Sequence, residues 1–167
     1  MTSRELKPVV YRPIGIARTR YSTPAGMPLQ SVAAPDEPGR IELDPELEPG
    51  LRDLDGFSHV YVISHLHRSA PGDLLVVPFL DQTQRGVFAT RSPRHPNPIG
   101  LSIVRLLGVD GSTLHVTGLD LLDGTPVLDV KPYVPTFDRI DAERAGWFEG
   151  RADDVHTRRA DDRFTTP

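Results

Sequence analysis

A chain of 167 residues with 38% hydrophobic side chains is long enough for one real core, so a single globular domain is expected. The absence of cysteine excludes disulfides and thiolate metal sites, and a net charge of −4 excludes the global attraction to nucleic acid that a basic domain uses. Seventeen prolines and fourteen glycines exclude a helix bundle, because proline removes a helical donor and glycine weakens helices.

Met1 to Pro8 carries scattered charge without the apolar stretch of a leader, and no later apolar run nears the roughly 20 residues that span a bilayer. The chain therefore reads as soluble and cytoplasmic, with no membrane partner. Val9 to Arg20 is predicted as a first strand, followed by a long loop, Tyr21 to Gly39, that contains four prolines. A short strand at Arg40 to Leu43 leads into Pro45 to Leu54, where one or two helical turns are expected before the Gly50 interruption. Phe57 to Leu66 is the clearest strand. It places Phe57, His59, Tyr61, Ile63 and His65 on one face and Ser58, Val60, Val62, Ser64 and Leu66 on the other.

Further strands are predicted at Leu74 to Phe79, Gly86 to Arg91, Ile99 to Gly108, Thr113 to Leu121 and Val127 to Tyr133, with turns at Asp110-Gly111 and Asp123-Gly124. Short strands without intervening long helices indicate a mainly β fold, a small single-domain β-barrel with short helical segments, covering residues 9–138. Residues 139–167 form a charged C-terminal tail. Trp147 and Phe148 predict that part of it docks on the barrel or on a partner subunit, while Arg158 to Pro167 is expected to be disordered.

Two stretches concentrate the chemistry. From Gly86 to Leu101 a strand enters Ser92 to Pro98, which three prolines make rigid, so that Arg91, Ser92, Arg94, His95 and Asn97 are presented at little entropic cost. This is either a preorganised binding loop or a structural crossover with exposed charges. From Gly118 to Tyr133, Asp120, Asp129 and Lys131 sit within or beside apolar strands, where charge is unfavourable unless paired. Asp129 and Lys131 share a face and can pair with each other; alternatively the carboxylates flanking the Asp123-Gly124 turn hold a ligand's amino, hydroxyl or cationic group. His65 and His67 have a spacing that can hold a metal, but no third ligand is evident, so no metal is expected.

The strings Gly86-Val-Phe-Ala-Thr-Arg-Ser-Pro, Pro96-Asn-Pro-Ile-Gly-Leu, Leu119-Asp-Leu-Leu-Asp-Gly-Thr-Pro and Asp129-Val-Lys-Pro-Tyr-Val-Pro resemble the TrmO family, also called TsaA-like or YaeB-like. The resemblance extends over about residues 11–138, through Pro13-Ile-Gly15, Gly26-Met-Pro-Leu-Gln30 and Gly56-Phe-Ser-His59. It implies a TsaA-like β-barrel that binds S-adenosyl-L-methionine without a Rossmann sheet, as a homodimer with its sites near the subunit interface. It further implies methyl transfer to N6 of threonylcarbamoyl-adenosine beside the anticodon of tRNA.

By the same resemblance the cofactor is held by Pro28, Leu29 and Gln30, by His67 and Arg68, by Arg91 and Leu101, and by Asp120, Leu121, Leu122 and Asp123. His95, Asp129 and Tyr133 are the candidates for the base that takes the N6 proton. The chain departs from the family pattern at Leu29, where a basic residue is frequent, and at His95, where an arginine usually precedes Pro-Asn-Pro. It is also expected to be a short form without the C-terminal domain of longer members. Methylation of a small molecule, or cofactor binding without catalysis, are the competing readings of the same barrel.

Overall fold

The computed structural model describes residues 7–151, 154–161 and 163–164. Met1 to Leu6, and the parts of the expected disordered tail at Asp162 and residues 165–167, lie outside the described residues.

The architecture is a closed antiparallel barrel formed by β1 (Gly15–Arg18), β2 (Pro38–Leu43), β3 (His59–His65), β6 (Ile99–Asp110), β7 (Thr113–Thr117) and β8 (Pro126–Pro132). Their order around the barrel is β1-β2-β7-β6-β3-β8, with β1 closing onto β8 through Gly15 opposite Val127. A separate two-stranded ribbon pairs β4 (Leu75–Val76) with β5 (Arg85–Gly86). Among the described residues helix is confined to short turns, with α1 at Pro135–Asp138, α2 at Asp154–Thr157 and 3₁₀ turns mostly ahead of them.

Alternation along the strands decides which side chains fill the barrel. In β3, Val60, Val62 and Ser64 point inward and are fully buried, while His59, Tyr61 and Ile63 on the outer face stay half-buried. Val60 and Val62 meet Val104, Leu106, Ile41, Leu114, Val116 and Val127 in one continuous core. Closure leaves the barrel itself without an unpaired edge.

The structure shortens several expected strands. Pairing of β1 begins only at Ile14, whose amide donates to the Val127 carbonyl, because Pro13 has no N–H to give; Val9, Val10 and Tyr11 are exposed. Leu74 to Phe79 contributes two paired residues before Pro78 ends the ladder. The predicted strand Gly86 to Arg91 instead becomes a 3₁₀ turn at Val87–Ala89, since the Thr90 amide and hydroxyl both donate to the Val87 carbonyl. β7 stops at Thr117 because Gly118 adopts φ +81° and turns the chain inward toward Asp120. The turns expected between Pro45 and Leu54 form as a 3₁₀ helix, Pro45–Leu51, which runs through Gly50 and starts where the Asp44 carboxylate accepts from the Glu46 amide.

The tail departs most from expectation. The described part of Arg158 to Pro167 is docked. Ala160 donates its amide to Met27 and accepts from Gly26 on its carbonyl, and Phe164 is buried with Val76, Val87 and Phe79. Trp147 stacks on Phe148 with ring centroids 3.9 Å apart and donates its indole N–H to the Ala89 carbonyl at 2.6 Å.

Candidate functional site

At one end of the barrel the chain encloses a cavity of about 370 Å³, within the range of small-molecule sites. Its inner wall comes from the start of β6 and from the segment between β7 and β8. Leu101, Ser102, Asp120, Leu121 and Leu122 face it. Gly100 lines it too, and must be glycine, because a Cβ there would collide with Ser64 Oγ on the paired strand. The rim is formed by Pro28, Leu29 and Gln30 from the long loop, by His67 and Arg68 after β3, and by Thr90, Arg91 and His95 from the proline-rich loop. Trp147, Phe148, Val155, Ala160 and Phe164 of the tail complete the outer wall.

Asp120 is the charged group set deepest in this cavity. It reaches solvent only partly, and Ser102 Oγ donates to its Oδ1 at 2.5 Å. Burial pushes the Asp120 carboxyl up, while the Ser102 and Ser31 hydroxyls, its own amide and the Arg91 charge oppose that rise. Arg91 crosses the rim to donate to Gln30 Oε1 at 2.7 Å, tying the proline-rich loop to the long loop. Arg68 donates to the Ser22 carbonyl at 2.8 Å. Among the described residues, Arg68 and Arg91 form no ion pair, so two guanidinium groups without a carboxylate partner lie at the mouth of the cavity in an acidic chain. Burial, the Arg68 charge and His65 together push the His67 imidazole down, favouring its neutral form.

Of the three candidate bases, the structure brings only His95 to the cavity. Its Nε2 lies 3.1 Å from the Thr90 carbonyl, which can only accept, so Nε2 is the donor, and in the neutral ring Nδ1 is the acceptor. Asp129 lies on β8 away from the cavity, where it pairs with Lys131 at 2.7 Å. Tyr133 packs against Tyr61 and His59 beyond the end of that strand.

Ten of the eleven residues expected to hold the cofactor line the cavity. The exception is Asp123. Its carboxylate accepts from the Thr19 amide at 3.2 Å and lies 3.7 Å from Arg18, bracing a turn in which Gly124 adopts φ +76°. The aromatic wall from the tail was not among the expected site residues. Its signal was the Trp147-Phe148 pair in a polar segment, which predicts docking without saying where. His65 is exposed, and among the described residues no group of three or more His, Asp or Glu side chains is arranged for a metal. No helix among them is long and apolar enough to cross a membrane.

Known proteins resemble this one in both sequence and fold. A family model described as the tRNA-methyltransferase O N-terminal domain matches residues 16–139. A "Probable S-adenosyl-L-methionine-binding protein" of Pyrococcus abyssi is 46% identical over 156 residues, which make 93% of this chain and 85% of that protein. The tRNA (adenine(37)-N6)-methyltransferase of Rattus norvegicus is 33% identical over 133 residues, 75% of this chain and 31% of that protein. A crystal structure of TrmO from Pseudomonas aeruginosa shares the fold with a TM-score of 0.72 and 40% identity, covering 86% of this chain but 62% of that one. The chain thus spans under two thirds of the length of these last two relatives. Matched by the family model over most of its length, and by a relative at 46% identity over nearly all of it, the chain belongs to the family of the tRNA-methyltransferase O N-terminal domain.

Proposed function

We propose that this protein is an S-adenosyl-L-methionine-dependent methyltransferase whose acceptor is N6 of an adenine in tRNA, in the form of threonylcarbamoyl-adenosine beside the anticodon. The observation that carries the reading is the cavity, in which an apolar wall, one deep carboxyl and a guanidinium without an ion pair among the described residues converge. Those donors match the chemistry of the ligand. Leu101, Leu121, Phe79 and the Trp147-Phe148 pair offer apolar surface to a purine, Asp120 offers an acceptor to ribose hydroxyls or an ammonium, and Arg91 offers a cation to a carboxylate.

Bound S-adenosyl-L-methionine supplies an electrophilic methyl group on a positively charged sulfur. The work of the chain is to align the acceptor in line with that methyl and to take up a proton. An acylated N6 is a weak nucleophile, and its proton must leave as the new N–C bond forms. His95 accepts that proton at Nδ1, while its Nε2–H stays on the Thr90 carbonyl and fixes the ring. The aromatic wall excludes water from the transfer.

The chain further pairs with a second copy through the outer row of β6. Ile99, Leu101, Ile103 and Leu107 are all exposed there, and the first two also line the cavity, so a partner on this row would adjoin the site.

Purified protein, labelled S-adenosyl-L-methionine and total tRNA from cells lacking this modification test the reading. Label in tRNA that is lost with His95→Ala is expected. Turnover indifferent to tRNA would identify a small-molecule methyltransferase, and binding without turnover a non-catalytic module.

A further inference from the structure

Phe88 is not used by the site described above, and its setting is unusual. It occupies the middle of the 3₁₀ turn Val87–Ala89, whose first residue is fully buried, yet its own ring is 76% exposed. The turn is fixed from two sides, by Thr90 on the Val87 carbonyl and by the Trp147 indole on the Ala89 carbonyl. The ring is therefore held out into solvent by a rigid support. His95 meets it in a T-shaped arrangement, with centroids 5.7 Å apart and planes at 76°, so Phe88 is braced against a residue of the cavity rim.

Next to His95, Arg94 has a buried Nε with no hydrogen-bond partner and forms no ion pair among the described residues. Its backbone is pinned, since its amide donates to Ser92 Oγ and its carbonyl accepts from Asp73. An exposed, rigidly mounted aromatic ring at the cavity rim, with an arginine one residue from its His95 brace, matches an unpaired nucleotide, whose base stacks while its phosphate takes the charge.

We propose that Phe88, braced by His95, is the platform on which an unpaired RNA base next to the methyl acceptor stacks, and that Arg94 takes the adjoining phosphate. This rests on the tRNA reading above and adds to it a subsite outside the cofactor cavity. The occupant is a base in a loop, because a base within a duplex has both faces covered by its neighbours.

The test uses the full chain with bound S-adenosyl-L-methionine and two fluorescein-labelled RNAs, an anticodon stem-loop and a blunt duplex of equal length. Wild type is expected to prefer the stem-loop. Phe88→Ala is expected to weaken stem-loop binding about tenfold, Phe88→Trp to retain it, and both to keep wild-type cofactor affinity by calorimetry. Arg94→Ala is expected to lower the slope of log affinity against log salt by about 0.7, the value for one single-strand phosphate contact. Wild-type stem-loop affinity in Phe88→Ala would overturn the platform alone, as would equal affinity of the wild type for loop and duplex. Cofactor binding by a wild type that takes up neither RNA would instead sink the tRNA reading, and the platform with it.

Discussion

The two walls of the cavity are built to different standards. The inner wall stands on β6, laddered on one side to β3 and on the other to β7, and its polar centre is a carboxyl hydrogen-bonded from within the barrel. The outer wall is a tail that touches the barrel through an indole hydrogen bond, a reciprocal pair of amides at Ala160 and the buried ring of Phe164. Arg163 adds a hydrogen bond to the Pro78 carbonyl and the Ala70 amide one to the Phe164 carbonyl, and a further anchor is ionic. Asp81, almost fully buried, lies 2.7 Å from Arg85 and 2.9 Å from Arg151 of the tail, the latter contact lacking hydrogen-bond geometry. Burial pushes the Asp81 carboxyl up, but Arg85, the Gln82 and Thr83 amides and Arg151 outweigh it and hold the group well below the usual carboxylate range. The difference predicts that changes in the inner wall alter which ligand binds, whereas changes in the outer wall alter how long it stays.

The largest effect is therefore expected at the inner wall. Asp120→Asn should lower S-adenosyl-L-methionine affinity by about 10- to 100-fold, as expected for loss of a charge-assisted hydrogen bond, measured by calorimetry. Its effect on the free protein has the opposite sign. Because the Asp120 carboxyl is raised in the folded state, its contribution to stability is full below the ordinary carboxylate value and is lost as pH rises through the raised one. Asp120→Asn should thus melt no lower than wild type at neutral pH, and the difference between them should shrink as pH falls. Cofactor affinity of the wild type should fall over that same descent, while that of Asp120→Asn stays flat.

A smaller effect is expected from the outer wall. Trp147→Ala with Phe148→Ala should weaken cofactor binding about tenfold, the scale of one lost aromatic stack, chiefly through a faster off-rate in stopped flow, with the barrel's melting unchanged. Equal losses in on-rate and melting temperature would break the distinction between the walls. The smallest is Asp81→Asn, which should leave cofactor affinity within about twofold but hasten proteolysis within the tail.

The inner wall was also the part legible in sequence. Strict alternation in Phe57 to Leu66 identified which residues of β3 face inward, and the family resemblance pointed to Leu101, Asp120, Leu121 and Leu122 of this wall along with six residues of the rim. Local competition set the limits of that reading. Thr90 bonding back to Val87 converts an apolar, β-branched run into a turn, and a hydroxyl's choice of carbonyl is not written in periodicity. Asp123 looked like a ligand because it shares one short motif with Asp120, three residues earlier, yet the Gly124 turn rotates its carboxylate toward Arg18. The tail beyond Trp147 and Phe148 escaped for a different reason. Its composition is that of a solvated segment, and isolated apolar residues such as Phe164 dock through contacts far away in sequence that no local pattern encodes.

The reciprocal amide pair at Gly26, Met27 and Ala160 gives the tail a temporal role. A bridge this short breaks and reforms without disturbing the barrel ladder, on the microsecond to millisecond scale of loop opening. Exchange of whatever the cavity holds is therefore expected to follow the opening of this tail segment, with the barrel strands staying paired.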